Sequence, residues 1–163
     1  MRPTFLPRRL IQIDARYDAV LAEGFPVVLG GNDESLQLAR DVDRIAAELG
    51  LFPKIYIEVN LAAESSKHGF TAEQLRTNLE ALYSLKRLEI QGLMCIPPFD
   101  LTPEQSRKYF VQLRTLRDEL VKLGGAALPV LSMGMSHDFE IAIEEGATLV
   151  RVGSAIFGDR HYP

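Results

Sequence analysis

Residues 131–160 read LSMGMSHDFEIAIEEGATLVRVGSAIFGDR. An apolar run from Leu128 to Met133 predicts a strand, and Gly134 and the polar residues Ser136 to Asp138 break it. Ser136 can cap a short helix in which Phe139, Ala142 and Ile143 share a face and which Gly146 closes. Thr148 to Val152 (TLVRV) predicts a second strand, and GSAIFG a single helical turn after it. Strand, helix, strand and tight turn in this order imply two parallel strands joined by a helical crossover.

Working outward, the same alternation fills the chain. Leu10 to Ala22 has helical spacing, with Gly24 as a stop. Phe25 to Gly30 (FPVVLG) predicts a strand. Asn32 can cap a helix over 33–49 with Leu36, Ala39, Val42, Ile45, Ala46 and Leu49 facing inward. Lys54 to Asn60 (KIYIEVN) predicts the next strand. Thr71 and Gln74 have capping-box spacing for a helix carrying Leu75, Leu79 and Leu82. Leu88 to Ile96 predicts a third strand, ended by Pro97-Pro98. Thr102, Pro103 and Gln105 open the longest helix, which Gly124-Gly125 stops. Five strands alternating with helices predict an α/β fold with a parallel sheet, and the near-continuous apolar strands suit burial on both faces. Length alone favours an open, flavodoxin-like sheet, because a complete (β/α)8 barrel takes about 250 residues.

The 163 residues fit one domain, 47% hydrophobic and 25% charged, which supports a packed core. A net charge of −4 offers no footprint for nucleic acid or acidic lipid. No apolar run reaches the ~20 residues of a membrane span, and the amino terminus has no signal-peptide pattern. The single cysteine, Cys95, excludes an internal disulfide and suits a reducing, cytoplasmic setting. Cys95 sits mid-strand between Met94 and Ile96 and is expected to be a buried, inert thiol. His68, His137 and His161 are scattered without metal-ligand spacing, so no metal is expected. In RKYFVQLRTLRDEL the spacing puts Phe110, Leu113, Leu116 and Leu120 on the core side, which argues against nucleic-acid binding there.

Ligands of parallel α/β folds sit beyond the carboxyl ends of the strands. At those ends stand Asn60, Ser132 to Ser136, and Gly153-Ser154. A Gly-Ser pair at a helix start turns free N–H groups outward, and an adjacent strand is expected to bring the Ser132 hydroxyl to the same point. That makes a phosphate cup with few basic residues; serines that merely cap helices are the plainer alternative. Arg151, flanked by Val150 and Val152, points opposite to both. A buried guanidinium needs a partner, either a carboxylate such as Asp138 or Glu58, or a ligand atom beside the phosphate.

Residues 131–160 resemble the C-terminal signature of the pyridoxal phosphate homeostasis family, single-domain relatives of the alanine racemase barrel. VNLAAESSKHGF (Val59 to Phe70) and LEIQGLMCIPPF (Leu88 to Phe99) agree, in family order. The resemblance covers roughly Val27 to Tyr162 and replaces the open sheet by part of a (β/α)8 barrel, its fourth to eighth strands. It implies a cofactor, pyridoxal 5′-phosphate (PLP), with Ser132, Gly153 and Ser154 on the phosphate and Arg151 on the ring nitrogen, and with Met135 and Asn60 lining the pocket. A guanidinium only donates, so the ring nitrogen must stay unprotonated, which makes it a poor electron sink. The family accordingly resembles a cofactor carrier and regulator of vitamin B6 pools, without established turnover.

The chain departs from the family in its first part. The PLP lysine of the family lies at the end of the first barrel strand, in a segment resembling VSKT, and nothing like it occurs here; the earliest lysine is Lys54. Residues 1–24 match poorly and are expected to be helical, with residues 25–163 forming the C-terminal part of the barrel. The expectation is therefore a truncated PLP-binding homeostasis protein without its covalent lysine. Lys67, the one lysine at the ligand end, is the candidate substitute; a solvated loop lysine is the plainer reading. A five-strand arc leaves open edges, so self-association, or a second chain supplying the missing half-barrel, is expected. A racemase-like fragment is the weakest alternative.

Overall fold

The structure, a computed structural model, describes residues 11–12, 20–21, 27–30, 35–62, 69–124 and 127–158. Strands β1 (Ile11–Gln12) and β2 (Val20–Leu21) pair antiparallel as a separate small sheet. Both lie in the segment Leu10 to Ala22, where a helix was expected; the four residues described there are extended, and residues 10, 13–19 and 22 lie outside the described residues. The β-branched Ile11 and Val20 favour extended backbone.

The main sheet contains β3 (Val27–Leu29), β4 (Lys54–Glu58), β5 (Glu89–Met94), β6 (Val130–Met135) and β7 (Leu149–Arg151), all parallel. Helices α1 (Ser35–Leu49), α2 (Ala72–Ser84), α3 (Pro103–Gly124) and α4 (Phe139–Glu144) connect them, and α5 (Ser154–Phe157) follows β7. The sheet order is β3-β4-β5-β6-β7. A flavodoxin-like sheet must reverse its strand order at a switch point; this one never does, and it is an arc of a (β/α)8 barrel.

Local chemistry explains the elements. Thr71 and Gln74 form the reciprocal capping box of α2, with bonds of 3.1 and 2.8 Å. Thr102 and Gln105 repeat it before α3, at 3.4 and 2.8 Å. Phe110, Leu113, Leu116 and Leu120 of α3 and Leu75, Leu79 and Leu82 of α2 are buried, as their spacing predicts. In α1, Leu38, Ala39, Val42 and Ala46 are buried, while Leu49 at the end is exposed. Ile55, Ile57 and Val59 join this core together with Leu93, Leu131 and Met133 from the next two strands. The alternate residues Tyr56 and Glu58 are only half-buried.

Helix α4, which leads into the site, is tied to α3 by charge. Arg107 pairs with Glu104 at 2.6 Å and with Glu144 and Glu145 at 2.7 Å, and Arg114 reaches Glu145 at 3.0 Å. The partner Glu145 is the most sheltered of the three carboxylates, so its pairs are the least screened by solvent. Among the described residues, no helix is long and apolar enough to cross a membrane.

Candidate functional site

Strand β6 runs to Met135, two residues past the predicted end, and passes through Gly134 at φ 92°. A Cβ at Gly134 would lie 2.5 Å from that of Ala142, so only glycine lets α4 pack this closely against the strand. The turn Ser136–Asp138 then enters α4. Asp138 is the N-cap by position, but its side chain does not cap the helix. Its Oδ1 instead accepts the Met135 N–H at 2.7 Å, while its own N–H donates to the Met135 carbonyl at 3.0 Å.

Strand β7 ends at Arg151, in register with Met135. Gly153 is the N-cap of α5 and brings no side chain of its own. The N–H groups of Gly153 and Ala155 both donate to Ser136 Oγ, at 3.1 and 3.2 Å. A hydroxyl has two acceptor positions and one donor. Both acceptor positions are filled, so the Ser136 proton is left to donate outward. Residues 153–158 are exposed, and a Cβ built on Gly153 meets nothing within 4 Å. The cradle is open and lined with donors, which fits a phosphate group.

Ser136 therefore does not cap α4, and it takes the place expected of Ser132. Ser132 is 2% exposed, and its Oγ accepts from Arg151 Nη1 at 2.8 Å. The reason is the strand end: because β6 extends to Met135, Ser136 stands at the tip and Ser132 inside the sheet. The signal in the sequence was the second serine of SMGMS, four residues on.

Arg151 is half-buried. Its Nη1 also donates to the Ser132 carbonyl at 2.9 Å, and its Nη2 to the Cys95 carbonyl at 3.0 Å. Carbonyl oxygens and a hydroxyl hold the guanidinium, and the Glu58 and Asp138 carboxylates favour its charge from nearby. Burial pulls its pKa below the ordinary value, and arginine remains protonated in proteins. Among the described residues, these bonds engage three of its five N–H donors and leave two to meet a ligand acceptor.

Met135 is half-buried beside Arg151 in register. Asn60 lies at the end of β4, its N–H donating to the Phe70 carbonyl at 2.9 Å. It lines a cleft of about 600 Å³ between α2 and α3 with Leu61, Thr71, Arg76 and Glu119. Cys95 is a buried free cysteine whose thiol is pushed up to about 12 by burial, matching the expected inert thiol. Lys67, His68 and His161 lie outside the described residues. Among the described residues, no group of three or more His, Cys, Asp or Glu side chains could hold a metal.

The profile of the alanine racemase N-terminal domain matches residues 33–161. The chain belongs to the alanine racemase N-terminal domain family. Within that family, it is 46% identical over 136 residues to the pyridoxal phosphate homeostasis protein of Aquifex aeolicus, covering 83% of this chain and 60% of that one. It is 40% identical over 127 residues to the protein of the same name from Synechocystis, covering 78% and 58%. The solved structure of PipY from Synechococcus elongatus with PLP bound superposes with a TM-score of 0.72 at 38% identity, covering 80% of this chain and 59% of that one. The chain thus spans about 60% of the length of these relatives.

Proposed function

We propose that this chain binds PLP and serves vitamin B6 homeostasis in the cytoplasm as a carrier, with the phosphate held by the Ser136 hydroxyl and the Gly153-Ser154 turn and the ring nitrogen facing Arg151. The observation that carries this reading is the convergence of the Gly153 and Ala155 amides on Ser136 Oγ, one strand away from a guanidinium with spare donors. The Synechococcus relative, which holds PLP, supports it. When bound, PLP supplies an electron sink, weakened here because a permanently protonated Arg151 can only donate to the ring nitrogen. Ser132 acts behind this contact by fixing Arg151, and Met135 completes the surroundings; Asn60, expected to line the pocket, opens on the cleft between α2 and α3 and is left out of the site. No group on the described residues is proposed as catalytic.

Binding is proposed to be non-covalent. Among the lysines of this sequence, Lys54 starts β4 at the end of the strand opposite the site. Lys86 precedes β5, also at the end opposite the site, and Lys108 and Lys122 lie on α3. Lys67 is the remaining candidate amine. PLP titration followed by absorbance spectra, before and after borohydride reduction, tests the reading. The expected result is saturable binding of PLP, with pyridoxal far weaker, and cofactor that dialyses away after reduction. Equal binding of pyridoxal and PLP would remove the phosphate cup. Cofactor fixed by borohydride in the native chain and lost in Lys67→Ala would replace the non-covalent reading with a covalent one.

A second reading concerns partners. Among the described residues, β3 and β7 are edge strands, and Val28 and Leu149 on them are 40% and 38% exposed. Paired edges are a general requirement of barrel closure. We propose association at these edges, either with a second copy or with a chain that contributes further βα units. A monomeric mass by light scattering at high concentration, unchanged on adding the amino-terminal half of a relative, would remove this reading. Racemase-like activity is tested by alanine racemisation with added PLP, where no turnover is expected.

A further inference from the structure

We infer that Asp138 is a positioning residue of the phosphate cup, acting through the Met135–Asp138 turn to hold Ser136 Oγ against the amides of Gly153 and Ala155. The inference rests on the proposed PLP site for its purpose, and on ligand-free geometry for its evidence. Asp138 is 1% exposed. An aspartate at a helix start ordinarily accepts N–H groups of its own first turn. Here the side chain turns back along the chain to the Met135 N–H at 2.7 Å, and the Asp138 backbone closes the same turn at 3.0 Å. Asp138 also anchors the far side, since its carbonyl accepts the Ala142 N–H at 3.0 Å inside α4. Ser136 lies between the two residues so joined. Its hydroxyl is the point on which the Gly153 and Ala155 amides converge, 17 and 19 residues away. Release of the Met135 amide frees the turn, and with it the acceptor of both amides.

Of the two carboxylate oxygens, Oδ1 holds the hydrogen bond, to the Met135 N–H. Asp138 Oδ2 is buried without a hydrogen bond, beside a cavity of about 230 Å³ that Ser136, His137 and Phe139 also line. His137 Nε2 lies 3.3 Å from it. A buried carboxylate oxygen without a hydrogen bond is costly, and the bond that Oδ1 makes offsets part of that cost.

Two variants separate geometry from charge. Asp138→Asn keeps the acceptor and removes the charge; Asp138→Glu keeps the charge and moves the acceptor by one methylene. The readout is hydrogen exchange of the Gly153 and Ala155 amides in the ligand-free chain, followed residue by residue by NMR, alongside PLP affinity. Asp138→Asn is expected to stay within about twofold of the native chain in both. Asp138→Glu and Asp138→Ala are expected to speed exchange of both amides at least tenfold and to weaken PLP about tenfold, with exchange in β4 and β5 unchanged. In a Ser136→Ala background, where the acceptor is already gone, Asp138→Glu is expected to add nothing to exchange at either amide. Native protection in Asp138→Glu, or loss of protection in Asp138→Asn equal to that in Asp138→Glu, would overturn the inference. If Asp138→Ala fails to fold, the Asn and Glu pair decides. Because amide exchange needs no ligand, a chain that binds no PLP would sink the proposed function and leave this outcome to be read separately.

Discussion

At the carboxyl end of β4 the chain closes on itself, whereas at the carboxyl end of β7 it leans on its neighbour. Beyond β4, Val59 bridges to Phe70, the Phe70 N–H donates to the Glu58 carbonyl at 2.9 Å, and the Asn60 N–H donates to Phe70 at 2.9 Å. The Phe70 ring is 1% exposed, and Thr71 and Gln74 cap the helix that follows. Beyond β7, Gly153 offers α5 no side-chain cap, and the amides of Gly153 and Ala155 go to a serine on the adjacent strand. Both are helix starts with orphan donors. A start that caps itself turns part of its donors inward and works as architecture. A start whose donors collect on a hydroxyl from another strand presents that hydroxyl's proton to the solvent, at a place where a bound anion loses little by replacing water.

The comparison predicts opposite sensitivities, and the largest lies at the architectural tip. Phe70→Ala removes a fully buried ring where strand, loop and helix meet, and is expected to cost about 3–5 kcal/mol in chemical denaturation. An effect under ~1 kcal/mol would show that the β4 tip is not a packed lock and would erase half of the contrast. At the other tip, Ser154→Asp places a carboxylate in the cup, against an incoming phosphate. PLP or inorganic phosphate affinity is expected to fall more than about 100-fold, or about 2.7 kcal/mol. Because residues 153–158 are exposed, the thermal midpoint is expected to hold within about 2 °C. Retained phosphate binding in Ser154→Asp would move the anion away from this turn.

The same contrast explains what could be read before any coordinates. The β4 tip and α2 depend on neighbours in sequence: the Thr71–Gln74 box spans three positions, and Leu75, Leu79 and Leu82 repeat at helical spacing. Local order of that kind is visible in one dimension. Consecutive strand order came from the family resemblance, since periodicity alone suits an open sheet equally well. The cup was half legible. Gly153 and Arg151 lie at the end of β7, and the hydroxyl that the Gly153 and Ala155 amides reach is that of Ser136, four residues past Ser132, because the end of β6 depends on Gly134. A glycine inside an apolar run reads as a break; at φ 92° and packed on Ala142 it instead carries the strand onward to Met135. The register shift between Ser132 and Met135 on β6 likewise depends on pairing with β7, which no local pattern encodes. Arg151 shows the same limit. Its type and burial demand partners, but carbonyl groups of two other strands supply them, and backbone acceptors leave no mark in the sequence.

The smallest effect separates a cap from a site most cleanly. Thr71 Oγ1 accepts the Gln74 N–H and the Gln74 side chain returns the bond to the Thr71 N–H, so Thr71→Ala leaves one donor of α2 to water. Loss of such a cap costs about 1 kcal/mol, which shifts a denaturation midpoint measurably. Thr71 also lines the cleft between α2 and α3, together with Asn60. If that cleft took part in ligand binding, Thr71→Ala would lower PLP affinity as well as stability. With the ligand confined to the tips of β6 and β7, stability is expected to fall while PLP affinity stays within about twofold, the reverse of the Ser154→Asp pattern. A Thr71→Ala chain with native stability and weakened PLP binding would reverse the assignment of the two tips, because the self-capped start would then be the one that a ligand needs.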